Sequence, residues 1–268
     1  MTPPASARRA YRYVAIGDSS TEGLEDRAPG GELRGWSYRL AQRLSDTHGG
    51  LLYANLAVRG KCTREVRGEQ LAPALAMQPD LLSVFAGTND LLAPRFDARA
   101  VAADLEAMFA AGIAQGARVL TFTLPDLVPV MPLARALTPR VQALAHEVRA
   151  AAARTGAIVV DFAPYPVTVD ARLWAADRIH ANAAGHARIA AALAHALALP
   201  GSDASWQQAL APMRAPSTGE RIAAEWAWMC EHLAPWIAAG LRGQRTSDGR
   251  IARRPELTPW STDDDGGM

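Results

Sequence analysis

Short apolar runs alternate with amphipathic segments over the first two hundred residues. Apolar residues recur at three- and four-residue spacing in segments that include Trp36, Val101 and Val141, which predicts helices there. Continuous apolar strands between such helices are typical of a parallel sheet that is covered on both faces. We therefore predict a three-layer α/β/α domain over residues 1–200, with a flavodoxin-like, five-stranded parallel sheet. The predicted strands are residues 13–16, 51–57, 80–87, 117–124 and 157–162.

The pattern changes after residue 200. No strand is predicted in residues 201–241, where apolar residues recur at spacings of four and three and so predict a helix with one apolar seam, kinked at Pro235. The seam consists of Ile222, Trp226, Met229, Leu233, Trp236 and Gly240. We expect this helical extension to pack back onto the domain, and a homodimer interface is the alternative. Residues 242–268 are polar and glycine-rich, and we predict a disordered tail.

Composition and charge exclude several classes of protein. The chain has 268 residues, of which 49% are hydrophobic and 21% charged, as in a globular protein with ample core. Its net charge of +1 gives no reason to expect a nucleic acid or an anionic membrane as partner. Cys62 and Cys230 lie far apart, so we predict neither a metal site nor a cofactor. No apolar run could span a bilayer and no signal peptide precedes the first strand, so we expect a cytoplasmic protein.

A serine follows the first predicted strand directly, in the sequence GDSSTEG of residues 17–23. The carboxyl edge of an open α/β sheet is where ligands bind, and Ser19 would project from that edge. The same sequence is also ordinary turn chemistry, and Ser19 could simply cap the next helix. Taken alone, this serine does not define a function.

The loops after three other strands add the groups that a serine nucleophile requires. Ester hydrolysis needs a base, a group that orients the base, and donors for the oxyanion. Gly60 can offer a backbone N–H at close approach, and Asn89 offers a side-chain amide. Asp177 and His180 lie three residues apart, so that the carboxylate can reach the imidazole.

Each of these residues also has a structural interpretation. Gly60 could serve a turn, Asn89 could begin a turn before a helix capped by Asp90, and His180 could stand at a helix start. Their joint placement at one sheet edge is harder to explain by turns and caps alone. The remaining histidines have no supporting motif and are predicted to be surface or packing residues: His48, His146, His186, His195 and His232.

Four blocks of the sequence resemble, in order and spacing, those of the SGNH (GDSL-type) hydrolases. They are GDSSTEG, NLAVRG, GTND and DRIHANAAGH, within a resemblance that covers residues 13–199. The resemblance implies a serine esterase or lipase on a flavodoxin-like sheet, acting on a small ester through an acyl-enzyme. Ser19 would be the nucleophile, His180 the general base and acid, and Asp177 the residue that orients His180. The N–H groups of Ser19 and Gly60 and the side chain of Asn89 would form the oxyanion hole.

The last block departs from the family pattern at two positions. It commonly reads Asp-Gly-x-His-Pro, whereas Arg178 and Ala181 stand here in place of the glycine and the proline. Arg178 could reach an anionic substrate or be a solvated surface residue. Lys61 could line the mouth of the site or be solvated at a helix start. Met131 lies in the apolar loop 124–134, which could form an acyl pocket or lid, or pack onto the domain.

The same residues are compatible with more than one activity. An acyltransferase, a thioesterase or a carbohydrate O-acetylesterase would use the same site. A non-catalytic binding module, with Ser19 held in a closed pocket, belongs to a different class. A phosphate-binding protein is disfavoured because GDSSTEG lacks both the G-x-G-x-x-G spacing and a P-loop lysine.

Overall fold

The protein is described by a computed structural model for residues 9–243 and 245–261. Within these residues it has a six-stranded sheet with helices on both faces. The strands are β1 (Tyr11–Gly17), β2 (Leu51–Asn55), β3 (Leu81–Phe85), β4 (Arg118–Phe122), β5 (Ile158–Val160) and β6 (Arg254–Pro259). The helices are α1 (Ser19–Glu22), α2 (Gly35–His48), α3 (Thr63–Ala76), α4 (Ala98–Ala114), α5 (Thr138–Thr155), α6 (Ala183–Ala196), α7 (Thr218–Trp228) and α8 (Ala234–Leu241).

The sheet has the order β5-β4-β3-β1-β2-β6, and its first five strands are mutually parallel. Without β6 this is the flavodoxin-like order, so the predicted fold class is confirmed. In the sheet, β2 lies next to β1 on one side, and β3 lies next to β1 on the other side. The switch point therefore lies between β1 and β3, which places the loops that follow these strands beside each other.

Two apolar clusters fill the space between the three layers. Side chains alternate along a strand, so β1 contributes Tyr13 to one face and Val14 to the other. The first cluster packs against α2 and α6 and includes the almost completely buried Trp36, and the second packs against α3, α4 and α5, with Phe109 fully buried. Burial on both faces explains why the five parallel strands have continuous apolar sequences.

The sixth strand corrects the prediction of a disordered tail. β6 pairs antiparallel with β2 at the sheet edge, and Leu52 lies opposite Pro259. The next residue, Trp260, is buried and donates its backbone N–H to Leu51 O at 2.9 Å. Prolines are tolerated here because an edge strand has one side without a ladder partner. The part of the predicted tail in residues 262–268 lies outside the described residues.

The helical extension is present, but its predicted seam does not pack onto the domain. Ile222 and Trp226 are 65% and 68% exposed, and Trp236 is half exposed. The side chain that packs inward is Trp228, which lies off the seam and is 5% exposed. The helix breaks into a π-turn at Met229–Leu233 before Pro235, which has no N–H to donate. A homodimer through the exposed face stays a prediction. Across the described part of the chain, no helix combines the length and apolarity needed to cross a bilayer.

Candidate active site

The turn after β1 fixes the position of Ser19. Gln70 from α3 brackets Gly17, accepting its N–H at 2.8 Å and donating to its carbonyl oxygen at 3.0 Å. Asp18 then caps α1, because its Oδ1 accepts the Ser20 N–H at 3.1 Å. Burial raises the pKa of Asp18 to about 7, although the Ser20 N–H opposes that shift. Ser19 is consequently the first residue of a short helix whose backbone is held on both sides.

His180 lies in a loop that is closed at its base. Trp174 and Ala181 form an antiparallel bridge, and the Ala175 N–H donates to His180 O at 2.8 Å. Asn182 caps α6 with its side-chain oxygen and donates its amide to Trp174 O at 3.0 Å. The loop of residues 174–182, called the histidine loop below, therefore has a defined backbone path without the usual glycine and proline.

The structure brings Ser19, His180 and Asp177 into one chain of hydrogen bonds. Ser19 Oγ lies 2.8 Å from His180 Nε2, and His180 Nδ1 lies 2.6 Å from Asp177 Oδ2. Asp177 Oδ1 also accepts the backbone N–H groups of His180 and Ile179, each at 3.0 Å. These bonds leave the Asp177 carboxylate little freedom to turn away from the imidazole.

The charges in this chain set the tautomer of His180. Burial alone would raise the pKa of Asp177, but the hydrogen bond and charge of His180 outweigh it and the pKa is lowered. An ionised carboxylate only accepts hydrogen bonds, so the imidazole proton lies on Nδ1 and Nε2 accepts the Ser19 hydroxyl. Burial alone would lower the pKa of His180, but Asp177 outweighs it and the pKa is raised. The arrangement suits the imidazole to receive a proton from Ser19.

Gly60 and Asn89 lie in the neighbouring loops, after β2 and β3. Gly60 has a φ of +76°, and a Cβ there would meet Thr246 Oγ1 at 2.1 Å, so this position requires glycine. Asn89 Nδ2 donates to Lys61 O at 2.9 Å, which ties the two loops together. Among the described residues, the backbone N–H groups of Ser19 and Gly60 meet no protein acceptor and can serve a ligand.

A buried ion pair that the sequence analysis missed braces the Gly60 loop. Glu22 in α1 accepts the backbone N–H of Arg59 at 2.8 Å and pairs with its guanidinium at 2.6 Å. Arg253 from the C-terminal segment lies 3.4 Å from the same carboxylate. No motif marks this pair, and only the glutamate of GDSSTEG, Glu22, could have pointed to it. The pair links the serine helix directly to the residue before Gly60.

An apolar pocket opens beside Ser19 and His180. It has a volume of about 140 Å³ and is lined largely by side chains from strand ends, the loop after β4, and the histidine loop. Apolar lining residues include Phe85, Leu91, Phe122, Leu127, Met131, Leu137, Val141, Phe162, Trp174 and Ile179. The loop 124–134 therefore contributes to the pocket through Met131, while its Val130 packs into the interior. Most of the remaining lining residues could not be identified from sequence, because they come from separate strands, turns and helices and have ordinary apolar side chains.

Two predicted substrate-binding residues form ion pairs with other side chains. Lys61 pairs with Glu69 on α3 at 2.9 Å and is not among the residues that line the pocket, and its place at the mouth of the site stays a prediction. Arg178 pairs with Glu225 at 2.6 Å and lies over the Trp228 ring, and its contact with an anionic substrate stays a prediction. Its φ of +61° is a conformation that disfavours residues with a Cβ by about 1–2 kcal/mol.

His186 was predicted to be a surface or a packing residue, and the structure shows it fully buried. Its Nδ1 accepts the Trp36 N–H at 3.1 Å, so its Nε2–H donates to Leu24 O at 2.8 Å. Burial lowers the pKa of His186 to about 4, although the Leu24 carbonyl opposes that shift. The imidazole therefore joins the loop after α1 to the start of α2 in its neutral form.

The sequence matches a known family over most of its length. The model of the GDSL-like lipase/acylhydrolase family matches residues 15–188, which is well over half of the chain. The chain therefore belongs to the GDSL-like lipase/acylhydrolase family. It is an enzyme of the esterase/lipase class.

Solved structures of similar fold give the same architecture. TesA is 22% identical, with a TM-score of 0.57 over 69% of this chain and 97% of its own. Axe2, an acetylxylan esterase from Geobacillus stearothermophilus, is 18% identical, with a TM-score of 0.59 over 75% and 97%. The psychrotrophic esterase EstA from Pseudoalteromonas sp. is 16% identical, with a TM-score of 0.55 over 70% and 96%. No curated protein matches the chain significantly in sequence. Because the sequence identities are this low, the structural similarity shows only that the fold is shared.

Proposed function

We propose that the protein hydrolyses carboxylic esters through an acyl-enzyme on Ser19. The observation that carries this proposal is the continuous path from Ser19 Oγ through His180 to Asp177, with distances of 2.8 and 2.6 Å. Family membership supports the reaction class, and this path supports the assignment of roles.

In the first half of the reaction, Ser19 Oγ attacks the ester carbonyl carbon and its proton passes to His180 Nε2. The carbonyl oxygen becomes an oxyanion, for which the Ser19 and Gly60 N–H groups and the Asn89 amide are the donors. The bond to the leaving alcohol then breaks, and the alcohol takes the proton from His180. Asp177 remains ionised throughout and stabilises the imidazolium.

In the second half, water takes the place of the alcohol. His180 Nε2 accepts a proton from the water, whose oxygen attacks the acyl carbon. The acyl bond to Ser19 breaks, Ser19 Oγ recovers the proton, and the carboxylic acid leaves. The same three residues serve both halves, so removal of Ser19 or His180 is expected to reduce turnover by about 10⁴–10⁶-fold.

The pocket supports the proposal that the enzyme recognises the hydrocarbon acyl group of its substrate. A cavity of about 150 Å³ in a protein core holds a benzene-sized group of about six carbons. The pocket here is of similar volume, about 140 Å³, and its lining is almost entirely apolar. An acyl chain of about six carbons therefore fits better than an acetyl group or a charged acid.

The proposal is tested with p-nitrophenyl esters graded from acetyl to dodecanoyl. We expect kcat/KM to be highest near six carbons and activity to vanish in Ser19→Ala. Met131→Trp narrows the pocket and is expected to move the optimum to shorter chains. Leu133→Trp is the matched control, because Leu133 is exposed and lies outside the pocket. Full activity of Ser19→Ala would refute the proposal.

Thioesters and acyl acceptors other than water use the same groups. Product analysis with added alcohols, and rates with thioesters of equal acyl length, separate a hydrolase from a transferase or thioesterase. Hydrolysis of acetylated carbohydrate faster than of a hexanoyl ester would favour the O-acetylesterase alternative and contradict the role given to the apolar pocket.

A further inference from the structure

The C-terminal extension contacts the histidine loop at two consecutive residues. Trp228 of α7 donates its Nε1–H to Asp177 O at 3.0 Å. Glu225, one turn earlier, pairs with the Arg178 guanidinium at 2.6 Å, and Ala224 O accepts a second guanidinium N–H at 3.2 Å. The guanidinium carbon lies 5.1 Å from the centre of the Trp228 ring. One helix thus contacts both the carbonyl oxygen of Asp177 and the side chain of the next residue, Arg178.

This contact occurs where the chain departs from its family. Arg178 stands in place of the usual glycine and keeps a left-handed φ, so the turn needs support that glycine would not require. α7 begins at Thr218, beyond the family match that ends at residue 188. The matches to TesA, Axe2 and EstA cover 96–97% of those structures but only 69–75% of this chain. A quarter or more of this chain therefore has no counterpart in them.

The orientation of the 177–178 peptide matters for the proposed chemistry. Asp177 reaches His180 with one carboxylate oxygen and the loop backbone with the other. Rotation of the peptide after Asp177 would move that carboxylate relative to the imidazole. A misplacement of about 1 Å in a catalytic group can reduce the rate by about 10²-fold.

We propose that Trp228 and Glu225 are positioning residues that hold Asp177 against His180. The extension is then a part of the catalytic centre although it supplies no reacting group. This inference rests on the proposed roles of Asp177 and His180.

The test compares Trp228→Phe and Glu225→Gln with matched controls on the same C-terminal segment. Trp228→Phe keeps an aromatic ring but removes the donor to Asp177 O, and Glu225→Gln removes the charge that pairs with Arg178. The controls are Trp226→Phe and Glu231→Gln, which make the same chemical changes at exposed positions. The readouts are kcat, KM, the pH profile of kcat/KM, and the melting temperature.

We expect kcat to fall about tenfold in Trp228→Phe, with KM within about twofold of wild type. When Asp177 is held less firmly, it stabilises the protonated form of His180 less, and the pKa of His180 is expected to fall. The rise of kcat/KM on the acid side of the pH profile, called the acid limb, is therefore expected to move to lower pH. The controls are expected to match wild type. In an Arg178→Gly background, Glu225→Gln is expected to have no further effect, because its partner is gone.

A purely structural role would lower the melting temperature and leave kcat and the acid limb unchanged, and that result would overturn the inference. An effect on KM alone would also overturn it, because it would indicate a substrate contact. If Trp228→Phe does not fold, Glu225→Gln and its control decide by the same readouts. Ser19→Ala is measured in parallel. If Ser19→Ala is active, the proposed function itself is refuted. If Ser19→Ala is inactive but Trp228→Phe and Glu225→Gln both have wild-type kcat, only the positioning role is refuted.

Discussion

Replacement of Asp177 by asparagine tests the electrostatic part of the account with almost no change in shape. Asp177 accepts three hydrogen bonds, from His180 Nδ1 and from the backbone N–H groups of His180 and Ile179. An asparagine oxygen can keep the two backbone bonds, which directs the new NH₂ group toward His180 Nδ1. That nitrogen must then accept, so the imidazole proton moves to Nε2, and Nε2 can no longer accept the Ser19 proton.

The expected loss in kcat is about 10⁴-fold, which corresponds to about 5 kcal/mol of transition-state stabilisation. The assay is steady-state hydrolysis of p-nitrophenyl hexanoate, with circular dichroism to establish that the fold is retained. Asp46→Asn is the control, because Asp46 is exposed on α2 and the substitution is chemically identical. A loss of less than about tenfold in a folded Asp177→Asn protein would refute the reasoning about the tautomer.

Three further predictions concern His180, Gly60 and His186. Because the pKa of His180 is raised above 6.5 and only the neutral imidazole accepts the Ser19 proton, kcat/KM is expected to be half-maximal above pH 6.5; a midpoint below pH 6.5 would contradict this. Gly60→Ala, whose Cβ would meet Thr246 Oγ1, is expected to lower kcat by about 10²-fold in ester assays, and Gly68→Ala, in open space on α3, is expected to leave it unchanged. His186 stays neutral in the folded state down to about pH 4, but in the unfolded state it becomes protonated below pH 6.5. As the pH falls from 6.5 to 4, His186 is therefore expected to lower the free energy of unfolding by about 1.4 kcal/mol per pH unit. Urea unfolding at pH 7 and 5 measures this loss, and His186→Gln should lack its share of the pH dependence.

The parallel core of the fold was predictable because burial on both faces leaves a plain signature. All five parallel strands were located, with boundaries that differ by a few residues, as in residues 51–57 against the observed Leu51–Asn55. β6 was not predicted because the segment Arg254–Pro259 has a proline as its second and its last residue and does not alternate between apolar and polar residues. Its pairing depends on the free edge of β2, which a local pattern does not report.

The candidate site residues Ser19, Asn89 and His180 could be proposed from sequence because the chemistry demands particular residue types in the segments that follow the strands. The supporting contacts could not, because they join segments that are distant in sequence. Glu22 and Arg59 are ordinary charged residues until the fold brings them together. The periodicity of the extension identified a helix but not the side that packs, since Trp228 contacts the histidine loop while the regular seam faces solvent.

The central claim is that Ser19 is an activated nucleophile that becomes covalently acylated. The most direct measurement is intact-protein mass spectrometry after brief exposure to a fluorophosphonate, with peptide mapping of the adduct. The account predicts one adduct, on Ser19, that is absent in Ser19→Ala and forms far more slowly in His180→Ala, while the neighbouring Ser20 stays unmodified. An unlabelled wild-type protein, or an adduct on another residue that survives in Ser19→Ala, would contradict it.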